Sequence, residues 1–190
     1  MPENALYHHL LERLGNRAKH LEQVLAHFTR IKVKRNVLLL QEGDVCRSVY
    51  FVAKGCLQVF VYDSDSNETT RDIIVENHWC SELSSFSTEQ PAKENIRTLE
   101  PSELFVIDRI AFQKLIVSVS QFDAVYKQIL ESSYLNSVYR LNSFLSMDAL
   151  DRIKWCMQHR PTLMTRLSSR IIASYLGIAP ETFSRLRGKL

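Results

Sequence analysis

The chain has its clearest chemical pattern near its end, where polar side chains recur on one predicted short helix. The outward positions carry acidic, hydroxyl and basic groups, and the intervening Phe183 and Leu186 repeat an inward apolar spacing. Side chains of these types can contact base edges and phosphates when a short helix enters the major groove of DNA. The outward residues are Glu181, Thr182, Ser184, Arg185, Arg187 and Lys189.

A second short helix must position this one. Ser168-Ser169 supplies hydroxyls that can cap a helix start, and Ile172, Ala173 and Leu176 then form one apolar face. Gly177 follows that face, where a helix end often needs a positive φ, and Pro180 suits the first turn of the next helix. The small Ala173 lets two steeply crossing helices approach each other. The stretch therefore predicts a helix-turn-helix, and an ordinary helical hairpin is the alternative.

Charge is distributed unevenly along the 190 residues. The formal net charge is +3, and from Asp151 onward eight basic residues against two acidic ones give +6, so residues 1–150 carry −3. A basic tail on an acidic body favours contact between the tail and a phosphate backbone.

The first 120 residues predict helices followed by short strands. Asn4–Arg30 has an amphipathic pattern that is interrupted near Gly15-Asn16, and from Ile31 the period changes to alternation. Turn signals at Glu42-Gly43-Asp44 and Lys54-Gly55 separate β-rich runs, which predicts a small antiparallel barrel or sandwich.

A long helix is predicted next. Asp108 can cap a short helix through Leu115, and residues from Gln121 to about Ser146 then carry one apolar stripe. Its length of roughly 39 Å exceeds what a small domain needs for its own core, so packing against a twin helix is favoured. Packing along its own barrel is the alternative. Met147-Asp148 opens another short helix to His159, and Arg160-Pro161-Thr162 is predicted to be a linker. The stripe consists of Phe122, Val125, Ile129, Tyr134, Val138, Leu141 and Leu145.

Several other classes of protein are disfavoured. No apolar run reaches the length of a membrane span, and the start lacks the pattern of a signal peptide, so a cytoplasmic protein without a membrane partner is expected. An enzyme is not expected, since no P-loop, GxSxG or HExxH occurs. The cysteines form no CxxC pair and are expected to be free, and no metal site is predicted.

The order of barrel, long helix and helix-turn-helix resembles the Crp/Fnr superfamily of bacterial transcription regulators. Three stretches carry the resemblance: LLLQEGDVCRSVYFVAKGCLQVF, HWCSELSSFSTEQPAKENIRTLEPSEL and IASYLGIAPETFSRLR. The implied fold class is α+β, with N-terminal helices and an antiparallel β-barrel of the cyclic-nucleotide-binding type, a double-stranded β-helix. The implied domains are a sensor domain at 1–120, a dimerisation helix at 121–147 and a helix-turn-helix domain at 148–190.

The second stretch departs from the family's nucleotide-binding pattern of F-G-E-L followed by P-R-[ST]-A. Glu82 is retained, but Ser81 replaces the glycine and Ala92 replaces the arginine that would fork onto a cyclic phosphate. Lys93 is a point charge without that fork. We therefore expect that cyclic AMP and cyclic GMP are not bound with useful affinity. The candidate effector residues, here called the cassette, are Ser81, Glu82, Leu83, Ala92 and Lys93.

Other effectors known in the superfamily find little support. An iron–sulfur cluster needs four suitably placed thiolates, and the four cysteines here are scattered. Haem ligation by His8, His9, His20 or Cys80 stays an open alternative, although lone residues of these types more often lie in a core or on a surface. No cofactor is predicted, and the effector is unknown.

The resemblance also implies how DNA would be read. Glu181 and Arg185 match base-contacting positions, with arginine bidentate to guanine and glutamate accepting from cytosine. Pro180 stands where many members carry arginine, which implies a different preferred site. The implied partners are a palindromic duplex, a second copy of the chain and RNA polymerase, while a module whose helix-turn-helix does not read DNA is the alternative function. The chain stops at Leu190 without residues for a full β wing, and a truncated chain would end in the same way. Phosphate or thymine-methyl contacts are expected from Thr182 and Ser184, and phosphate contacts from Arg166, Arg170, Arg187 and Lys189.

Overall fold

The structure is a computed structural model that describes residues 5–14 and 21–190. The described residues form two compact units. The first contains the described residues up to Val59 together with Ile73–Glu131, and the second contains Phe60–Asp72 together with Ser132–Leu190. The interruption predicted near Gly15-Asn16 and the candidate ligand His20 lie outside the described residues.

Helices flank a run of strands. The helices are α1 (Ala5–Leu14), α2 (Leu21–Leu25), α3 (Leu83–Thr88), α4 (Arg109–Ser118), α5 (Ser120–Ser146), α6 (Ala149–His159), α7 (Pro161–Arg166), α8 (Ser169–Leu176) and α9 (Pro180–Arg187). The strands are β1 (Thr29–Val33), β2 (Leu38–Leu40), β3 (Ser48–Lys54), β4 (Leu57–Tyr62), β5 (Glu68–Ile74), β6 (Trp79–Cys80), β7 (Asn95–Thr98) and β8 (Ser102–Asp108).

The strands form two sheets of four strands each within the described residues, in the orders β1-β8-β3-β6 and β2-β7-β4-β5. Neighbours run antiparallel, with Tyr50 of β3 opposite Cys80 of β6 and Ile31 of β1 opposite Leu104 of β8. The α+β class with antiparallel sheets is confirmed, and the two sheets are not closed into a barrel, since no hydrogen-bonded strand pair joins them in the described part of the chain. The edge strands β2 and β6 have only three and two residues, which leaves little backbone with which to close the cylinder.

The core of the first unit is made by both sheets and by the helices around them. Leu10 of α1, Phe51 of β3, Leu104 of β8 and Val125 of α5 are all fully buried in one cluster. Aromatic rings continue this cluster between helices, with centroids 5.5 Å apart for Phe86 and Phe112 and 5.4 Å apart for Phe112 and Phe122. Four consecutive residues are buried in β3 and again in β4, so both faces of these two strands are covered.

The predicted helix boundaries depend mainly on local caps. Asp108 accepts hydrogen bonds from the amides of Ile110 and Ala111 at 2.9 and 3.0 Å and begins α4, and Asp148 accepts from the amide of Asp151 at 2.9 Å and begins α6. The long helix is confirmed with 27 residues.

The predicted linker at 160–162 is wrong. Arg160 ends α6 and Pro161 immediately begins α7, which buries Leu163. Proline fits the first position of a helix as well as it fits a linker, so the sequence signal was ambiguous at this point.

Candidate nucleic-acid interface and effector cassette

Helices α8 and α9 are joined by a turn whose hydrogen bonds explain its sharpness. The Ser168 hydroxyl accepts from the Ile171 amide at 3.4 Å at the start of α8. Gly177 ends that helix in the left-handed region, at φ 63°, and the Ile178 amide donates to the Ala173 carbonyl at 2.9 Å. This arrangement satisfies carbonyls at the end of α8. Pro180 begins α9, so the two predicted helices and their turn are present.

The seam between these helices is apolar and closed. Ala173 and Phe183 are fully buried, and Ile153 of α6 is buried with them in the same unit. The burial of Ala173 agrees with its predicted place on the apolar face of α8. A buried seam of this kind fixes which face of α9 turns outward.

The outward face of α9 carries Glu181 and Arg185, both exposed and four residues apart, so they lie on the same side of the helix. Neither side chain makes a hydrogen bond or ion pair with another described residue. Ser184 and Lys189 are exposed, Thr182 is partly buried, and Pro180 is exposed at the first helical position.

Two candidate phosphate contacts differ in their surroundings. Arg170 on α8 is exposed. Arg187 donates to the Ser169 hydroxyl at 3.4 Å, and its guanidinium lies 5.8 Å from the centroid of the Phe183 ring. Arg187 is therefore held against its own two helices while remaining exposed.

The sequence did not single out the residues that anchor α8. Arg140 of α5 donates to the Tyr175 carbonyl at 2.9 Å, and its guanidinium lies 4.2 Å from the Tyr175 ring centroid and 5.0 Å from that of Phe144. Arg160 donates to the Tyr175 hydroxyl at 2.9 Å. Tyr175 is buried, and these two arginines satisfy its carbonyl and hydroxyl groups. The partners lie 35 and 15 residues away in the sequence, so no local pattern could predict them.

A second anchor comes from strand β5. The Thr70 amide donates to the Ser174 hydroxyl at 2.8 Å, and that hydroxyl donates to the Glu68 carbonyl at 3.2 Å. Both groups belong to the second unit, which takes in Phe60–Asp72. One serine of α8 thereby satisfies two backbone groups of an edge strand.

In the cassette, Glu82 acts as a helix cap. Its carboxylate accepts from the Ser85 amide at 2.6 Å at the start of α3, and the residue is 8% exposed. The Ser85 hydroxyl in turn accepts from the Cys46 amide at 2.9 Å. A carboxylate engaged in this way stabilises the local turn through a charge-assisted hydrogen bond.

The other cassette residues do not form a cluster of charged side chains. Ser81 donates to the Ser48 carbonyl at 3.1 Å. Ala92 is buried, and its backbone pairs with the Gly43 amide at 2.9 Å and the Asp44 carbonyl at 2.8 Å. Lys93 and Leu83 are exposed. Ser81, Glu82 and Ala92 are therefore each held by a local hydrogen bond. Lys93, the one cationic residue of the cassette, is exposed.

A cavity of about 460 Å³ lies in the first unit and is lined by the segment around the turn at Gly43. None of the five cassette residues is part of its lining among the described residues. Tyr50 lines it and donates to the Leu39 carbonyl at 3.2 Å, and burial raises the pKa of Tyr50 to about 12. The Tyr50 hydroxyl is thus neutral, and its proton is already donated to the Leu39 carbonyl. The lining residues are Leu39, Leu40, Gly43, Asp44, Val45, Cys46, Arg47, Ser48 and Tyr50.

Candidate ligands for metals are dispersed in the part of the chain that the structure describes. No group of three or more His, Cys, Asp or Glu residues there is arranged to hold a metal ion, and the four cysteines are free and buried. His9, one of the candidate haem ligands, uses Nε2 to accept from Trp79 Nε1 and from Arg13 Nε, each at 3.0 Å. No described helix is long and apolar enough to cross a membrane.

The fold joins an N-terminal unit that contains two antiparallel sheets to a helix-turn-helix. Residues 30–118 match the cyclic nucleotide-binding domain family. A curated relative, the cAMP-activated global transcriptional regulator Vfr of Pseudomonas aeruginosa, is 26% identical over 100 residues, which are 51% of this chain and 47% of that protein. The match thus spans about half the length of that relative.

Solved structures extend the similarity to most of the chain. The c-di-GMP responsive global regulator CLP of Xanthomonas campestris has a TM-score of 0.72 at 21% identity, with 90% of each chain covered. FixK2 from Bradyrhizobium japonicum has a TM-score of 0.73 at 15% identity, with 86% of this chain and 84% of that chain covered. The chain therefore shares the fold of these proteins over most of its length, which is the fold that the resemblance stated from the sequence implied.

Proposed function

We propose that this chain is a Crp/Fnr-type transcription regulator that binds a palindromic DNA site as a homodimer in the cytoplasm. The observation that carries the proposal is the pair Glu181 and Arg185, exposed together on α9 and free of partners in the described chain, above a seam sealed by Phe183. An exposed arginine and glutamate on a short helix have the geometry for reading base edges in the major groove. Catalysis is not part of the proposal.

Electrostatics support the same assignment. Residues 151–190 carry a net charge of +6 and residues 1–150 carry −3. We assign phosphate contacts to Arg166, Arg170, Arg187 and Lys189, and phosphate or thymine-methyl contacts to Thr182 and Ser184. Such contacts position a reader without specifying sequence.

We assign dimerisation to α5. The proposed division of the chain is a sensor domain at 1–120, a dimerisation helix at 121–147 and a DNA-reading domain at 148–190. The stripe predicted along this helix divides into two parts. Phe122 and Val125 are buried within the first unit, whereas Tyr134, Leu141 and Leu145 are 68, 60 and 77% exposed. An apolar face that continues beyond its own core suits a second copy of the same helix. RNA polymerase remains a proposed partner on the family resemblance alone.

We further propose that cyclic AMP and cyclic GMP do not control the sensor domain. The support is local: Glu82 is engaged as a helix cap, Ser81 donates to Ser48, and Ala92 offers no guanidinium to a cyclic phosphate. The homologous regulator Vfr is described as cAMP-activated, so this chain would differ from it in its effector.

The experiment that tests the function is selection from random duplex DNA with purified protein, at stated salt, with and without cyclic AMP. We expect a palindromic motif whose half-sites lie about 34 Å apart and which does not change when cyclic AMP is added. A motif that is enriched only with cyclic AMP would contradict the effector proposal. Failure of a folded dimer to enrich any motif would favour a protein-interaction module.

Replacing Arg185 by alanine is expected to lower affinity for the selected site by about 1–3 kcal/mol and to relax one base position in each half-site. The physical reason is the loss of a bidentate contact to one base. Lys189→Ala is the matched control and should weaken binding to all sequences alike, with a shallower salt dependence. Repeating the selection checks both, and an unchanged motif in Arg185→Ala would remove this residue from base reading.

A further inference from the structure

The cavity beside the loop between β2 and β3 is a candidate ligand site of the first unit. Its volume of about 460 Å³ falls in the range of small-molecule sites. All the described residues that line it lie between Leu39 and Tyr50, so one segment of the first unit builds it. The cassette lies outside this lining, so a ligand here would use other residues than those of the family's nucleotide-binding pattern.

Apolar groups form part of the wall. Leu40 and Tyr50 are buried, and Leu39 and Val45 are partly buried. The Tyr50 side chain is fixed, because its hydroxyl donates to the Leu39 carbonyl at 3.2 Å. A ligand with an aliphatic body can therefore bury apolar surface against this wall.

Two charged side chains of opposite sign also line the cavity. Asp44 and Arg47 are both exposed. Neither side chain makes a hydrogen bond or an ion pair with another described residue, and they do not pair with each other. The neighbouring Arg109 differs, because its guanidinium forms an ion pair with Glu89. The cavity therefore presents one negative and one positive group for which the described chain supplies no partner.

The backbone that carries these two charges is held in place by hydrogen bonds. The Asp44 carbonyl accepts from the Ala92 amide at 2.8 Å, and the Cys46 amide donates to the Ser85 hydroxyl at 2.9 Å. The Arg47 carbonyl accepts at 2.9 Å from the backbone amide of the first residue of α4. Since the loop is already ordered, a ligand would not have to supply the free energy of ordering it.

We propose that this cavity binds a small zwitterion with an aliphatic body, such as a dipeptide of apolar residues. Its ammonium group lies on Asp44 and its carboxylate on Arg47, whose guanidinium can donate two parallel hydrogen bonds to a carboxylate. A ligand with a single charge is repelled by one of the two side chains. Because the two side chains do not pair with each other, the separated charges of a dipeptide suit them better than the adjacent charges of one amino acid. Binding at this site does not depend on the proposed DNA-binding function.

The first experiment titrates the purified full chain with leucyl-leucine in a calorimeter. We expect saturable binding with a dissociation constant of about 1 mM or lower. Acetyl-leucyl-leucine lacks the ammonium group and leucyl-leucine amide lacks the carboxylate. Each is expected to bind about five- to tenfold more weakly, because one charged side chain of the cavity then has no partner.

The second experiment repeats the titrations with Arg47→Gln and Asp44→Asn. Arg47→Gln should weaken the binding of leucyl-leucine about five- to tenfold and remove its advantage over the amide, while Asp44→Asn should remove its advantage over the acetylated form. Arg35→Gln and Glu42→Gln are the matched controls, since both residues are exposed in the same unit and neither lines the cavity. Their affinity for leucyl-leucine should equal that of the wild type.

Several results would overturn the site. One is the absence of saturable binding of leucyl-leucine to the wild type. Equal affinity for the dipeptide and its two blocked forms would show that the ends of the ligand are not recognised. Unchanged affinity in Arg47→Gln or Asp44→Asn, or an equal loss in the two control variants, would show that the dipeptide is not bound by the charges of this cavity.

Discussion

Gly177→Ala is expected to destabilise the second unit by about 2–3 kcal/mol and to abolish sequence-specific DNA binding. Gly177 has φ 63°, a conformation that costs a residue with a side chain about 1–2 kcal/mol. An added Cβ would also lie 2.6 Å from Cε1 of Phe144 and 3.3 Å from its Cδ1. The ring cannot move without cost, because the Arg140 and Arg152 guanidiniums lie 5.0 and 5.4 Å from its centroid.

The measurement uses the two tryptophans, one in each unit. In a Trp79→Phe background, Trp155 alone reports denaturant unfolding of the second unit. Gly188→Ala is the matched control, since Gly188 has φ −69° and an added Cβ would lie 3.6 Å from the Ser184 carbonyl oxygen, an ordinary van der Waals distance. The control should change stability by no more than about 0.5 kcal/mol. Equal effects of the two substitutions would show that the turn at Gly177 tolerates a side chain.

Gly177 also illustrates what the sequence could predict. Its position after an apolar helical face, with Pro180 following, indicated a turn through signals that lie within a few residues of one another. The caps at Ser168, Asp108 and Asp148 were predictable for the same reason. Local hydrogen-bonding chemistry determines these boundaries, so no knowledge of the tertiary structure was needed.

Contacts between distant segments were not predictable. Ser174 and Thr70 are 104 residues apart, and Arg140 and Thr70 are 70 apart, so periodicity carries no information about them. The periodicity of α5 predicted the long helix correctly, but not that the stripe is buried at Phe122 and exposed at Leu145. Which neighbour covers a helix depends on the packing of the whole unit.

The cassette shows the same limit at a smaller scale. The sequence identified Glu82 as a retained residue and Ala92 as a lost arginine, but it gave no sign that Glu82 caps α3. Glutamate is an uncommon residue at the N-cap of a helix, so capping propensity did not indicate Glu82. Strand spacing predicted the antiparallel strands correctly, but it left barrel and sandwich open, because the pairing of the edge strands decides whether two sheets join.

The stability of the first unit is expected to fall by about 2 kcal/mol between pH 7 and pH 5 because of one buried histidine. His9 of α1 lies against Phe51 and Trp79, with ring centroids 4.9 and 5.9 Å away. Burial, followed by the charges of Arg13 and His78, lowers the pKa of His9 from 6.5 to about 4. Its Nε2 accepts two hydrogen bonds, and protonation of that nitrogen would destroy both.

The sign follows from which state binds the proton. Between pH 6.5 and pH 4 the unfolded chain takes up a proton at His9 that the folded chain does not, so acid favours unfolding throughout this window, and the loss levels off below pH 4. In a Trp155→Phe background, Trp79 alone reports denaturant unfolding of the first unit at each pH. His9→Gln keeps an acceptor for Trp79 but cannot titrate, so its stability at pH 7 and pH 5 should differ by much less. His27→Gln, at an exposed histidine of the same unit, controls for the loss of a histidine. If His9→Gln kept the full pH dependence, the acid sensitivity would have to come from another group, and α1 would not be held by a neutral His9.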